Sequence, residues 1–114
     1  MFEFYKEIYD KYGGIFSEYS FVDVYFQQDN RCFGNSILEL ESTVLKFRFI
    51  KDRGQSFLEI GHKSNDEWLY ISKVAKVYFD IDIGSLCFSA NVIDFVKSNL
   101  NEMTRLFSKK EYKS

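Results

Sequence analysis

The chain has 114 residues, and its hydrophobic fraction of 46% and charged fraction of 28% are typical of one globular domain and exclude a disordered chain. Its formal charge of −2 argues against a protein that binds nucleic acid without regard to sequence, because such binding needs clustered lysine and arginine to neutralise phosphates. Residues 105–114 hold four basic residues and one glutamate, so they carry +3 and leave −5 on the rest of the chain. An acidic body favours basic partners through long-range attraction.

Residues 2–12 predict an amphipathic helix. Phe4, Ile8 and Tyr12 recur at a spacing of four, with charged residues between them. We expect Gly13 and Gly14 to end this helix. The charges in residues 1–12 argue against a signal peptide, and no apolar run approaches the ~20 residues of a membrane span, so we expect one cytoplasmic domain over residues 1–114 with no membrane contact.

Residues 20–28 predict a strand, because β-branched and aromatic residues dominate. Val22, Val24 and Phe26 are predicted to share one face of it. A loop at 29–31 and a turn or bulge at 34–35 are expected to follow.

Residues 36–61 predict three antiparallel strands. A tight turn at Arg53-Gly54 would place Phe49 opposite Leu58 and Arg48 opposite Glu59, so that apolar residues face each other and charges face their opposites. For the preceding hairpin, a turn at Ser42-Thr43 predicts three pairs: Leu40 with Leu45, Leu38 with Phe47, and Glu39 with Lys46.

The two faces of these strands differ in character. One is apolar and is predicted to be core. The other has a charged band (Glu39, Lys46, Arg48 and Glu59) beside an apolar patch (Ile37, Ile50 and Phe57). The patch is either covered, by the strand at 20–28 or by a loop, or bare, in which case it predicts a protein contact.

Ser64 and Glu67 have the spacing of a capping box and predict a helix from about Asp66 to Tyr78 that includes Trp68. Residues 75–83 also alternate as a strand would, which leaves 77–84 open between helix and strand. Ser89 is predicted to cap a final helix, whose apolar residues recur at three and four: Val92, Ile93, Val96, Leu100, Met103, Leu106 and Phe107. The expected fold is α+β, an antiparallel meander of about four strands with N-terminal, middle and C-terminal helices on one face.

Residues for catalysis are scarce. His62 is the only histidine and lies in a polar loop. Cys32 and Cys87 have no CxxC neighbour and are expected to be buried reduced thiols rather than a disulfide or reactive pair. No phosphate-binding glycine loop occurs. We therefore predict no catalytic, cofactor-binding or metal-binding residues, and no enzymatic activity.

Two carboxylate pairs, Glu39 with Glu41 and Asp80 with Asp82, have the spacing of neighbours on one strand face. A solvated face explains them better than Mg²⁺ binding or acid–base work, which needs a cleft and further ligands. Arg53 at a hairpin tip either serves the turn or contacts a partner.

The segment from Phe33 to Ser42, the strand 45–52 with its Arg53-Gly54-Gln55 ending, the strand 57–60 and the later Trp68 resemble a group of small uncharacterised bacterial proteins. Some of these look like immunity proteins of contact-dependent or polymorphic toxin systems. The resemblance covers roughly residues 33–75, about a third of the chain.

The resemblance implies a cytoplasmic protein that binds and neutralises a cognate toxin domain, often a nuclease, by steric and electrostatic occlusion. The acidic body fits such a role. The predicted partner contacts are Glu39, Glu41, Arg53, Phe57, Glu59, Asp80 and Asp82. The alternatives are an adaptor or homodimeric interaction module, and a small hydrolase or ligand-binding protein using Asp80 and Asp82.

Overall fold

A computed structural model describes residues 3–28 and 35–109. Within these ranges the chain forms three helices and one antiparallel sheet of five strands in the order β1-β2-β3-β4-β5, which confirms the predicted α+β class with one strand more than expected. The elements are α1 (Glu3–Glu18), β1 (Val22–Gln28), β2 (Ser36–Glu41), β3 (Leu45–Asp52), β4 (Gln55–His62), β5 (Leu69–Tyr70), α2 (Ile71–Phe79) and α3 (Ala90–Ser108).

Helix α1 continues through Gly13 and Gly14, so the predicted glycine stop is wrong. Its buried stripe continues past the glycines to Ile15 and Phe16, and this burial outweighs the cost of glycine in a helix, about 1 kcal/mol per residue. The chain leaves the helix at Ser20, whose φ is 59°.

Strand β1 contains a bulge between Asp23 and Tyr25, so the predicted face shared by Val22, Val24 and Phe26 is wrong. Asp23 is paired with Leu40, which is core, and Tyr25 is paired with Glu39, which is not. The extra residue, Val24, shifts the alternation of side chains and turns Phe26 toward α1. There its ring meets the Tyr5 ring edge-on, with 5.4 Å between the ring centroids.

The hairpin of β3 and β4 has the predicted register, with Phe49 opposite Leu58 and Arg48 opposite Glu59. Its two turn residues, Arg53 and Gly54, have φ of 53° and 82°. Positive φ at both positions is the mark of a type I′ turn, whose twist matches that of the strands it joins.

The hairpin of β2 and β3 has a different register from the predicted one: Leu40 pairs with Phe47, Glu39 with Arg48, and Glu41 with Lys46. The turn lies one residue later than predicted. The Ser42 N–H donates to the Leu45 carbonyl at 2.9 Å, and the Leu45 N–H donates to Ser42 Oγ at 3.1 Å. Both registers preserve the same alternation of faces, so the hydrophobic pattern cannot distinguish them.

The predicted capping box is also wrong. The Ser64 N–H donates to His62 Nδ1 at 3.0 Å, and the Glu67 N–H donates to Asn65 Oδ1 at 2.9 Å. These local bonds shape a loop, and the chain then forms the short strand β5 before α2 begins at Ile71. Trp68 is therefore outside the helix in which it was predicted.

Helix α2 ends at Phe79, and Asp80 closes it with a left-handed φ of 55°. No strand forms between residues 80 and 84, which settles the open choice for 77–84 as helix followed by an irregular segment. Residues 85–87 then run beside β4, where the Cys87 N–H donates to the Ser56 carbonyl at 2.9 Å and Leu86 bridges to Phe57.

Helix α3 begins at the predicted cap, since Ser89 Oγ accepts from the Val92 N–H at 3.3 Å. The three helices pack on one face of the sheet, and their buried side chains join those of the strands in one cluster. Aromatic rings connect the two layers, with Tyr12 of α1 and Phe49 of β3 at 5.0 Å between centroids. Cys87 is a buried free thiol, as predicted, whereas Cys32, the loop at 29–31 and Gly34 lie outside the described residues.

Candidate interaction surface on the sheet

The face of the sheet opposite the helices is here called the open face. Strand pairing places on it side chains that are directly opposite one another. From β1 to β5 they are Val22, Tyr25, Gln27, Ile37, Glu39, Glu41, Lys46, Arg48, Ile50, Phe57, Glu59 and Tyr70.

Trp68 covers the two cations of this face. Its ring lies 4.2 Å from Lys46 Nζ and 4.3 Å from Arg48 Cζ, both measured to the ring centroid. Lys46 Nζ also donates to the Asn65 carbonyl at 2.5 Å, and the residue is only 6% exposed. Burial lowers the pKa of Lys46 from its ordinary value.

Arg48 joins three strands of the open face. Its guanidinium donates to Glu59 Oε1 from two nitrogens, at 2.7 and 2.6 Å. Glu39, on the other neighbouring strand, lies 3.9 Å from the same guanidinium, beyond hydrogen-bond length. The ion pair with Glu59 is therefore the strong one, and Glu59 is 8% exposed.

The apolar end of the open face is formed by Ile37, Ile50, Phe57 and Leu86. The first three are half-buried, and Leu86 is 45% exposed. Strand β1 lies beside β2 and does not cover this patch. A shallow depression of about 280 Å³ adjoins it, lined by Gln27, Asn35, Ser36, Ile37, Ile50, Lys51 and Asp52.

The opposite margin, on β1 and β2, is here called the acidic side; it consists of Val22, Tyr25, Glu39 and Glu41. Val22 is 59% exposed and Tyr25 is 46% exposed. Each is paired with a carboxylate, Val22 with Glu41 and Tyr25 with Glu39. Exposed apolar side chains alternate here with partly exposed carboxylates.

The structure divides the seven predicted contact residues among three places. Glu39, Glu41, Phe57 and Glu59 share the open face, although Glu59 is buried in its ion pair. Arg53 lies at the exposed tip of the β3–β4 hairpin. Asp80 and Asp82 follow α2, are exposed, and do not lie on a strand, so the prediction that they share a strand face is wrong.

Sequence reasoning missed Trp68, Tyr25 and Tyr70 as members of this surface. Trp68 was assigned to a helix because its spacing from Ile71 and Ala75 is helical. Tyr25 was assigned to the wrong face of β1 because the bulge at Val24 shifts the alternation of side chains. The single tryptophan of the chain was the available signal, because tryptophan is enriched in contact surfaces.

Titratable groups on the helical side serve packing. The hydroxyls of Tyr5 and Tyr9 on α1 both donate to the Asp23 carboxylate and tie α1 to β1. The Tyr12 hydroxyl donates to the Cys87 carbonyl at 2.5 Å, and burial raises the pKa of the Cys87 thiol to about 12. A thiol with so high a pKa is a weak nucleophile at neutral pH.

Comparison with protein-family models, with curated proteins and with solved structures found no match. Within residues 3–28 and 35–109, no three His, Cys, Asp or Glu side chains are grouped closely enough to hold a metal ion. In the same ranges, no helix combines the length and the hydropathy that a membrane crossing requires.

Proposed function

We propose that this protein is an immunity protein, without enzymatic activity, that binds a bacterial toxin domain through the open face and blocks it. One observation carries the proposal: a whole face of the sheet is left uncovered by the helices and bears exposed Tyr25, Tyr70 and Val22. Exposed aromatic side chains beside polar groups are typical of protein contacts.

The charge of the chain supports this kind of partner. The body carries −5 apart from the basic residues 105–114, and a nuclease toxin presents a basic groove to its substrate. An acidic protein approaches such a groove quickly, and its carboxylates occupy the positions that phosphates would take. Residues 33–75 resemble a group of small bacterial proteins, some of which look like immunity proteins, and this resemblance supports the same class.

The rigidity of the surface also supports binding. Trp68, Lys46, Arg48 and Glu59 are held by the contacts described above, so this part of the face is ordered before a partner arrives. Preorganised side chains lose less entropy on binding.

Co-expression with the product of the adjacent upstream reading frame tests the proposal. We expect the protein to restore growth to cells that express this product and to co-purify with it. The double variant Tyr25→Ala/Tyr70→Ala should lose protection, while Val77→Ala, which truncates a side chain 59% exposed on α2, should keep it. A wild-type protein that gives no protection and no complex would refute the proposal.

A homodimer that places two open faces against each other is the alternative, and the apolar end of this face favours it. Light scattering over a range of concentrations separates the two. A monomer at all concentrations argues against self-association, and the same net negative charge on both copies weakens it.

A further inference from the structure

We infer that the acidic side of the open face binds a basic segment of the partner protein, whose lysine or arginine side chains lie between Tyr25 and the carboxylates of Glu39 and Glu41. This inference rests on the function proposed above and specifies the chemistry of the partner.

The cations of the open face are not available to oppose such a segment. Lys46 is covered by Trp68 and donates to the Asn65 carbonyl, and Arg48 is held by Glu59 at 2.6 Å. The charges that remain accessible on the open face of β1 and β2 are therefore Glu39 and Glu41, both partly exposed.

Glu39 has unused capacity to accept hydrogen bonds. Its separation of 3.9 Å from Arg48 is too long for a hydrogen bond, and Arg48 directs two nitrogens to Glu59 instead. A partner's cation can therefore bind Glu39 without breaking the Arg48–Glu59 ion pair.

Tyr25 and Val22 add the apolar part of the site. Tyr25 is paired with Glu39 and Val22 with Glu41, so the Cβ atoms of each pair lie about 5 Å apart on the same face. An arginine side chain matches this arrangement, because its guanidinium pairs with carboxylates and packs on aromatic rings.

The partner approaches the face of the sheet and does not extend it by a strand. β1 is the edge of the sheet, but its bulge at Val24 and the Asp23 carboxylate, which accepts from Tyr5 and Tyr9, interrupt regular pairing along that edge. Contact through side chains on the face is the route that remains.

A short peptide of alternating arginine and valine is the probe, with a glutamate–valine peptide of equal length as its control. In NMR titrations of the 15N-labelled protein, we expect the basic peptide to shift amide signals of β1 and β2, and the acidic peptide to shift none. The pair Glu39→Gln/Glu41→Gln should weaken peptide binding about tenfold.

The matched control is Asp80→Asn/Asp82→Asn, which removes the same net charge from exposed positions after α2 and should change binding less than about twofold. If both double variants weaken peptide binding equally, the effect is one of net charge and the inference is overturned. It is also overturned if the basic peptide does not bind, or if its amide shifts are centred on α2 and α3. The thermal midpoint of each variant, compared with that of wild type, confirms that all are folded.

The growth assay distinguishes the two proposals. If wild type protects cells and Glu39→Gln/Glu41→Gln protects equally well, the inference about the acidic side falls and the proposed function stands. If the peptide binds as expected but wild type protects no cells, the proposed immunity function is refuted and the inferred site for a basic segment is retained.

Discussion

The carbonyl oxygen of Glu67 lies against the α-carbon of Gly61, so close that a Cβ atom there would be 2.4 Å from the oxygen. The Lys46 Cε atom would be 2.9 Å from the same Cβ. Gly61 therefore allows the loop after β4 to fold back over the open face, which brings Asn65 to Lys46 and Trp68 over both cations.

Gly61→Ala is expected to lower the free energy of unfolding by about 1–3 kcal/mol, because backbone must move to make room for the methyl group. Gly14→Ala in α1 is the control, since a Cβ there meets nothing within 4 Å, and it should raise stability by about 0.5–1 kcal/mol. Urea unfolding followed by circular dichroism measures both. Equal effects would contradict the role given to Gly61.

Trp68 and Lys46 should be energetically coupled. In a double-mutant cycle of Trp68→Leu and Lys46→Met, we expect an interaction energy of about 0.5–2 kcal/mol, the range of partly desolvated cation–π contacts. Circular dichroism is the suitable signal, because the two variants with Trp68→Leu lack the only tryptophan and cannot be followed by its fluorescence. Additivity within about 0.3 kcal/mol would mean that the ring does not bind the ammonium group.

Two arginine ion pairs of equal length should differ in their contribution to stability. Arg48 and Arg105 each lie 2.6 Å from a glutamate oxygen, but the Glu59 side chain is 11% exposed and that of Glu102 is 56% exposed. Arg48→Met should cost about 2 kcal/mol, because it leaves a buried carboxylate unpaired. Arg105→Met should cost at most about 0.5 kcal/mol. A smaller loss for Arg48→Met than for Arg105→Met in urea unfolding would refute this ranking.

Arg53 is the less suitable of the two turn residues for its backbone conformation. Its φ of 53° favours asparagine, so Arg53→Asn should stabilise the hairpin by about 0.5 kcal/mol, whereas Arg53→Val should destabilise it. Thermal unfolding measures both. If Arg53→Asn also keeps full protection in the growth assay, the turn role of this residue suffices and its predicted partner contact is wrong.

The free energy of unfolding should decrease at alkaline pH because the Cys87 thiol is buried. Burial raises the pKa of this thiol to about 12, while in the unfolded chain the thiol ionises near pH 8.5. Between these values the unfolded state releases the proton and the folded state keeps it, so stability is unchanged below about pH 8.5 and declines above it. Urea unfolding from pH 8 to 10 should show a steeper decline for wild type than for Cys87→Ala. Parallel declines would contradict the prediction.

Several elements could be predicted from the sequence because their signals are local. The β3–β4 register follows from matched apolar and charged pairs around a turn with glycine, and α3 follows from a serine cap and a long apolar period. Each depends on interactions between residues close in the chain, which composition and spacing describe directly.

Other features depended on contacts between distant residues. Helix α1 passes its two glycines because Phe16 packs on Phe49, and β1 bulges where two α1 tyrosines bind Asp23. Trp68 lies over Lys46 because Gly61 lets a backbone carbonyl approach. Phe49, Asp23 and Lys46 are all far in sequence from the residues that contact them, so no periodicity encodes these contacts.

The fold class, the β3–β4 hairpin, the final helix and the acidic bias of the body could all be predicted from the residues alone. The set of side chains on the open face required the folded structure, because a bulge of one residue or a shift of one turn position changes a strand's neighbours and leaves its composition unchanged. The candidate site consists of those neighbours.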